Sequence, residues 1–184
     1  TTAEKKQVFA NASGWVLEAG SALSGNNNTS ATPEVLVAIG GLATSIGSAD
    51  ITEIEMITTA FSKGAAAAGS RTLSVRARFN EPVDVNTSGG TPYLALTNGN
   101  QGSGSGRGPH NLPYVSGTGT NELVFTLVLA QNANATNAND VLTVGTNAMN
   151  LNSGTIKDAG TSTNSTITNS SAIGTAAGSV TVAA

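Results

Sequence analysis

Two stretches of the chain alternate between apolar and polar residues with a period of two. They are residues 72–79 (TLSVRARF) and residues 122–129 (ELVFTLVL). Because successive side chains of a strand point to opposite faces, this period predicts two half-buried antiparallel strands. The side chains predicted to face inward are Leu73, Val75, Ala77, Phe79, Leu123, Phe125, Leu127 and Leu129. Val124 and Val128 on the other face of the second strand indicate that this face is partly covered too.

Shorter apolar runs predict further strands before, between and after these two. The predicted segments are residues 51–58, 83–85, 92–97, 140–144, 165–168 and 179–183. Gly- and Asn-rich turns separate the segments, and no pattern after residue 60 predicts a helix of convincing length. We interpret the four alanines at 65–68, between two glycines, as a loop. The chain from residue 50 to residue 184 is therefore predicted to be one all-β, antiparallel sandwich domain.

Residues 1–49 have a different character. A short helix is predicted over residues 4–12, followed by a brief apolar patch at residues 15–17 and a turn-rich loop at residues 24–33. The run VLVAI at residues 35–39 is either a short helix opened by Pro33 or a buried strand, and a run this short does not decide between them. We predict an extended N-terminal arm with short local elements and little core of its own.

Charged residues make up only 10% of the chain, which leaves a neutral surface rich in hydroxyl and amide groups. With only 8 Lys and Arg residues, the chain has no basic face for nucleic acid, so nucleic acid is not an expected partner. No apolar run approaches the roughly 20 residues that span a bilayer, and no membrane partner is expected. The absence of cysteine excludes thiol chemistry and disulfides, and it leaves the compartment open.

The candidates for catalysis are few, and we expect no enzyme. The single histidine, His110, lies in a Gly- and Pro-rich stretch and is predicted to be an exposed loop residue rather than a catalytic base. The glycine-rich stretch at 99–108 lacks the lysine and the following helix of a phosphate-binding loop, so we interpret it as a flexible loop tip. Glu53 and Glu55 share one face of a predicted strand, which indicates a solvated face more often than an acid–base pair.

No cofactor is expected, although calcium is a possibility that the acidic turn residues leave open. Glu81, Asp84, Asp140 and Asp158 lie in or beside turns and could supply the hard oxygen ligands that calcium prefers. No Asp-x-Asp spacing accompanies them, so the simpler interpretation is that they form turns.

Four short motifs follow one another between residues 72 and 160. They are FNEPV (79–83), GTP (90–92), the hairpin YVSGTGTNELVF (114–125) and the closing LNSGTIKD (151–158). Together they resemble a bacterial and phage immunoglobulin-like repeat. The resemblance implies an immunoglobulin-like, non-catalytic β-sandwich of the kind found in surface adhesins and virion proteins. That family usually occurs in tandem copies, whereas this chain contains one copy and no internal repeat.

A single immunoglobulin-like module with an N-terminal arm looks like a structural protein of tailed-phage particles. The resemblance then implies a decoration, or cement, protein on the capsid exterior, whose partner is the major capsid protein or another virion protein. The alternative is a cell-surface or tail-fibre module that binds carbohydrate or protein outside the cell.

The apolar residues of the arm are the candidates for contact with a partner. They are Trp15, Val16, Leu17, Val35, Leu36, Val37 and Ile39. The competing interpretation is that they simply cover the open end of the sandwich. Because the strand edges carry few of the lysines that normally block edge-to-edge pairing, we also expect a homo-oligomer.

Overall fold

The computed structural model describes residues 7–11, 13–39, 47–62, 71–99, 108–129 and 136–183. Within these ranges the chain is nearly all β, with one short helix, α1 (Ser171–Ala176). The strands are β1 (Val8–Asn11), β2 (Gly14–Leu17), β3 (Glu34–Ala38), β4 (Ile51–Met56), β5 (Phe61–Ser62), β6 (Arg71–Asn86), β7 (Tyr93–Gly99), β8 (His110–Ser116), β9 (Thr120–Leu129), β10 (Val141–Asn150), β11 (Thr155–Asp158) and β12 (Ser179–Ala183).

Strands β4 to β12 form one nine-stranded sheet, which we call the body. Its order is β11-β6-β9-β8-β7-β10-β12-β5, and β4 also pairs with β6. All neighbours are antiparallel except β5 and β12, which are parallel. The sheet curves into a near-barrel around a single apolar core. The predicted all-β, antiparallel class is therefore confirmed.

The two alternating rows face this core as predicted. Leu73, Val75, Ala77, Phe79, Leu123 and Phe125 are all fully buried. Leu127 is partly buried, and the side chain of Leu129 lies outside the described residues. On the opposite face of β9, Val124 is half-buried and Val128 is exposed.

Strand β6 is longer than the sequence predicts, because residues 72–79 and 83–85 belong to one strand of 16 residues. Its pairing with β9 shifts register between Arg78 and Val83, around Pro82, which has no N–H for the ladder. On its other edge, β4 pairs with the first half of β6 and β11 with the second half. The long strand thus holds two shorter strands end to end.

Strand β8 was not predicted, and it joins the two halves of the body. Leu112 and Pro113 pair with β7, whereas Tyr114 and Ser116 pair with β9 across a register shift. Strands that pass from one sheet to another in this way form the corners of β-sandwiches and barrels. The predicted exposed loop at His110 is wrong, because His110 begins this strand and is buried.

The other short predictions have mixed outcomes. Strands at 51–58, 92–97, 140–144 and 179–183 are confirmed as β4, β7, β10 and β12. The strand predicted at 165–168 is wrong, since only isolated bridges occur near it. The predicted loops at 65–68 and 99–108 lie wholly or mostly outside the described residues.

The N-terminal segment forms a separate three-stranded antiparallel sheet of order β1-β2-β3, which we call the arm sheet. The helix predicted over residues 4–12 is wrong in its described part, because Val8–Asn11 is a strand paired with Gly14–Leu17. The choice left open at residues 35–39 resolves as a strand, β3, which pairs with β2.

Candidate interaction surface

The tight hairpin between β1 and β2 shapes the arm sheet. The Asn11 side-chain oxygen accepts a hydrogen bond from the Ser13 N–H at 2.8 Å, which turns the chain. Gly14 then has a φ of 122°, and a Cβ at this position would stand 2.0 Å from the Val37 carbonyl oxygen. Only glycine fits both requirements, so β3 can lie close against the start of β2.

One side of the arm sheet faces the body. Val16 and Leu17 are buried, and β1 contacts β6. Val8 and Trp15 line a cleft together with Arg78 and Asn121 of the body. Two of the predicted contact residues, Val16 and Leu17, are therefore covered within the chain itself.

Beneath the arm sheet, the outer face of β4, β6 and β9 carries a ladder of ion pairs. The Arg78 guanidinium donates to Glu53 at 2.9 Å and to Glu122 at 2.6 Å. Arg76 pairs with Glu55 and also lies 3.6 Å from Glu122. Glu53 and Glu55 share a face as the sequence predicts, and each keeps about two-fifths of its side chain exposed. This face is a structural cross-strand network rather than an acid–base pair.

The arm also carries apolar side chains that stay exposed outside these buried contacts. Every residue of β3 is exposed. The five predicted residues that remain uncovered are between 45% and 53% exposed, and we call them the arm patch: Trp15, Val35, Leu36, Val37 and Ile39. Leu23 is a further exposed apolar residue of the arm, which the pattern missed because it lies in a turn-rich stretch.

Strand β3 is also an edge strand. It pairs with β2 on one side, and no strand of the described chain pairs with its other side. Natural edge strands are commonly protected by lysine, proline or a bulge that twists the edge away. Within β3 only Glu34, at its start, carries a charge; Pro33 directly precedes the strand, and a register shift in its pairing with β2 leaves out Leu36. The edge therefore lacks the lysine that most often blocks pairing, and its irregularities are Pro33 at the start and Leu36 in the middle.

His110 lies in a buried polar cluster. The side-chain amide of Asn98 lies 3.3 Å from His110 Nε2 and donates to Asp140 Oδ2 at 3.0 Å. Asp140 Oδ2 also accepts from the Asn137 N–H at 2.7 Å. Burial lowers the pKa of His110, while Asp140 acts in the opposite direction. The cluster links β7, β8 and the approach to β10, which is a structural role.

The four candidate calcium ligands do not meet at one point. Asp158 Oδ1 accepts from the Ala49 N–H at 2.6 Å, and Asp84 Oδ2 accepts from the Gly160 N–H at 3.1 Å. Burial raises the pKa of Glu81, and the carboxylates of Asp158 and Asp50 raise it further. Asp140 belongs to the His110 cluster. Across the described ranges, no group of three or more His, Cys, Asp or Glu side chains is arranged to hold a metal ion.

Among the described residues, no helix has the length and apolar character needed to cross a membrane. No protein-family model matches the chain, and no curated protein or solved structure is significantly similar to it. A functional inference must therefore be drawn from the chain's own surface, above all from the arm patch.

Proposed function

We propose that the chain is a non-enzymatic virion structural protein that decorates or cements a phage capsid. In this proposal the body is an immunoglobulin-like β-sandwich on the capsid exterior, and the arm patch binds neighbouring capsid subunits. The observation that carries the proposal is the concentration of exposed apolar side chains on one small sheet.

The distribution of exposed apolar side chains supports a docking role for the arm. Six of the nine large apolar residues that are exposed in the described chain lie between residues 15 and 39. The other three, Ile57, Val115 and Val128, belong to the much larger body and its connections. Clustered apolar surface of this kind marks interaction sites on soluble proteins, whereas scattered residues do not.

The energy available from one arm patch is modest. Burial of apolar surface contributes about 25 cal/mol per Å², so a half-exposed side chain offers on the order of 1 kcal/mol. Five such side chains offer about 5 kcal/mol, which is comparable with the lower estimates for the cost of association. A single patch therefore binds weakly, and several linked patches bind far more tightly. A repeating shell with many equivalent sites suits a patch of this strength.

The motifs that resemble the immunoglobulin-like repeat have structural roles in the body. Gly117 has a φ of 116° in the hairpin turn, where a Cβ would stand 1.9 Å from the Glu122 carbonyl oxygen. Tyr114 packs edge-on against Phe125 at 6.1 Å, and its hydroxyl accepts from the Thr118 N–H at 2.9 Å. These roles concern turns and packing, which supports a non-catalytic body.

Binding to shells that lack this protein tests the proposal. Wild-type protein should co-sediment with such shells at a symmetry-related copy number. The double variant Trp15→Ala/Ile39→Ala should bind at least about tenfold more weakly, because buried tryptophans are typical binding hot spots. The control is Val115→Ala/Val128→Ala, which truncates two side chains of the body that are at least as exposed. Equal loss in both variants, or no co-sedimentation of the wild type, would contradict the proposal.

A second candidate function is adhesion, as a cell-surface or tail-fibre module that binds carbohydrate or protein. It is favoured by the cleft in which the exposed ring of Trp15 lies beside Glu53, Arg78, Asn80 and Asn121. An aromatic ring with nearby polar side chains is suited to a sugar. Binding to a glycan array that disappears in Trp15→Ala would favour this function, and silence across the array would count against it.

A further inference from the structure

The edge of β3 that pairs with no described strand has a sequence compatible with a second copy of itself. The residues of and just after the strand read Glu-Val-Leu-Val-Ala-Ile (34–39). Five of the six are apolar, and the charge stands at one end. When two copies run antiparallel about the middle of the strand, each Glu34 lies opposite Ala38 or Ile39 of the partner copy, depending on the register. The two carboxylates are then separated by roughly 15 Å along the ladder, since a strand rises about 3.4 Å per residue.

This charge arrangement favours the antiparallel orientation over the parallel one. A parallel arrangement would place the two Glu34 carboxylates side by side, which is unfavourable in a ladder. The antiparallel arrangement has two-fold symmetry, so it closes as a dimer and leaves no further β3 edge free. If a second acidic residue stood near Ile39, the antiparallel pairing would place it opposite Glu34 of the second copy, and the two like charges would repel.

Edge pairing and shell binding use different parts of the arm sheet. Strands pair through backbone groups in the plane of the sheet, whereas side chains stand roughly perpendicular to it. The side chains of the arm patch therefore remain available after two β3 edges pair. A pair of arm sheets would also present two linked patches, which compensates for the weakness of one.

We propose that two copies of this chain form a dimer in which β3 pairs antiparallel with β3 of the second copy. The two arm sheets then become one six-stranded sheet, β1-β2-β3-β3-β2-β1. This inference goes beyond the proposed function, and it concerns the isolated protein without any shell.

Sedimentation of the isolated full chain tests the dimer. Wild-type protein should sediment with twice the mass of one chain. Leu36→Lys should sediment as a monomer, because the added charge would lie against its own copy in the pairing. The control Val115→Lys places the same charge on an exposed strand residue of the body and should remain a dimer. A wild-type protein that sediments as a monomer, or as a series of oligomers larger than a dimer, would overturn the proposal.

Cysteine cross-linking tests the position of the contact. The chain contains no cysteine, so a single introduced thiol reports only on its own copy. Leu36→Cys should form a disulfide-linked dimer under mild oxidation, because paired strands bring Cα atoms near the two-fold axis within about 4.5–5.5 Å. Val115→Cys is the control and should stay unlinked. Equal cross-linking at both positions would contradict pairing through β3.

The two tests separate the dimer from the proposed function. A monomer that still decorates shells would overturn the dimer and leave the decoration proposal standing. A dimer that binds no shell would support the β3 pairing and contradict the decoration proposal.

Discussion

At the scale of single residues, Glu81 is a carboxyl group in an unfavourable place. It lies at the register break of β6, and its buried Oε1 has no hydrogen-bond partner within the described chain. Burial, and then Asp158 and Asp50, raise its pKa in the folded state. A raised carboxyl pKa contributes stability below the unfolded-state pKa, and that contribution is lost as the pH rises through the folded-state pKa.

Glu81→Gln should therefore stabilise the protein at pH 7, because the neutral amide removes the desolvated charge. The gain should shrink as the pH falls toward the ordinary glutamate pKa of about 4.3, where the wild-type carboxyl is neutral too. Urea midpoints at several pH values measure this difference. Glu18→Gln, at an exposed arm position, is the control. An equal difference at neutral and acidic pH would contradict the explanation.

His110 shows the opposite dependence. Burial lowers its pKa, so the unfolded chain takes up a proton before the folded chain does. Stability should fall as the pH decreases below the ordinary histidine pKa of about 6.5. In His110→Gln, which keeps a hydrogen-bonding group toward Asn98, the fall between pH 7 and pH 5 should be smaller. Parallel slopes for the two proteins in urea unfolding would show that His110 does not cause the change.

Single residues also explain what the sequence did not reveal. His110 looked like a loop residue because it is flanked by Gly, Pro and Asn, yet its side chain is buried beside Asn98. Pro113 concealed β8 further, since proline is rare inside strands; here it is exposed on that strand. Neither fact follows from local pattern, because both depend on residues distant in sequence.

At the level of strands and helices, the most accurate predictions came from segments whose apolar and polar residues alternate strictly. The alternating rows of β6 and β9 were predicted correctly because no helix accommodates a period of two. The strand predicted at 165–168 failed because the neighbouring Asn169 binds the backbone of β10 through its side chain. Its Oδ1 accepts from the Ala148 N–H, and its Nδ2 donates to the Gly145 carbonyl, each at 2.8 Å.

The close pairing of β2 with β3 in the arm sheet depends on the absence of a side chain at Gly14. Gly14→Ala should disrupt the pairing of β2 with β3, because the new Cβ would collide with the Val37 backbone. A strained backbone alone costs about 1–3 kcal/mol, which is large for a sheet of three short strands. The only tryptophan, Trp15, lies next to the change, so its emission should shift to the red while the body keeps its thermal midpoint.

Gly25→Asn is the matched control for this variant. Gly25 also has a positive φ, of 70°, but a Cβ there would meet no atom within 4 Å. Asparagine tolerates that conformation, so the emission of Trp15 should not change. A shift of similar size in both variants would contradict the specific role of Gly14.

At the scale of the whole molecule, the chain divides its apolar residues between two uses. The body encloses its rows in a near-barrel core, and the arm sheet leaves apolar side chains and one strand edge exposed. The sequence predicted the seven apolar candidates of the arm, but not that Val16 and Leu17 would be covered. That distinction depends on how the arm sheet lies against the body near Arg78, which no local pattern encodes.

Hydroxyl-radical footprinting of the protein, free and bound to shells that lack it, tests most directly whether the arm patch binds the shell. This method reads the exposure of side chains, so it reports on the arm patch whether or not β3 edges are paired. Trp15 and Leu36 should lose reactivity on binding, while Tyr93 and Val115 of the body should react as before. Protection of the body with an unchanged arm patch would show that the arm patch is not the docking surface, and a protein that remains entirely free in solution would show that it does not bind shells.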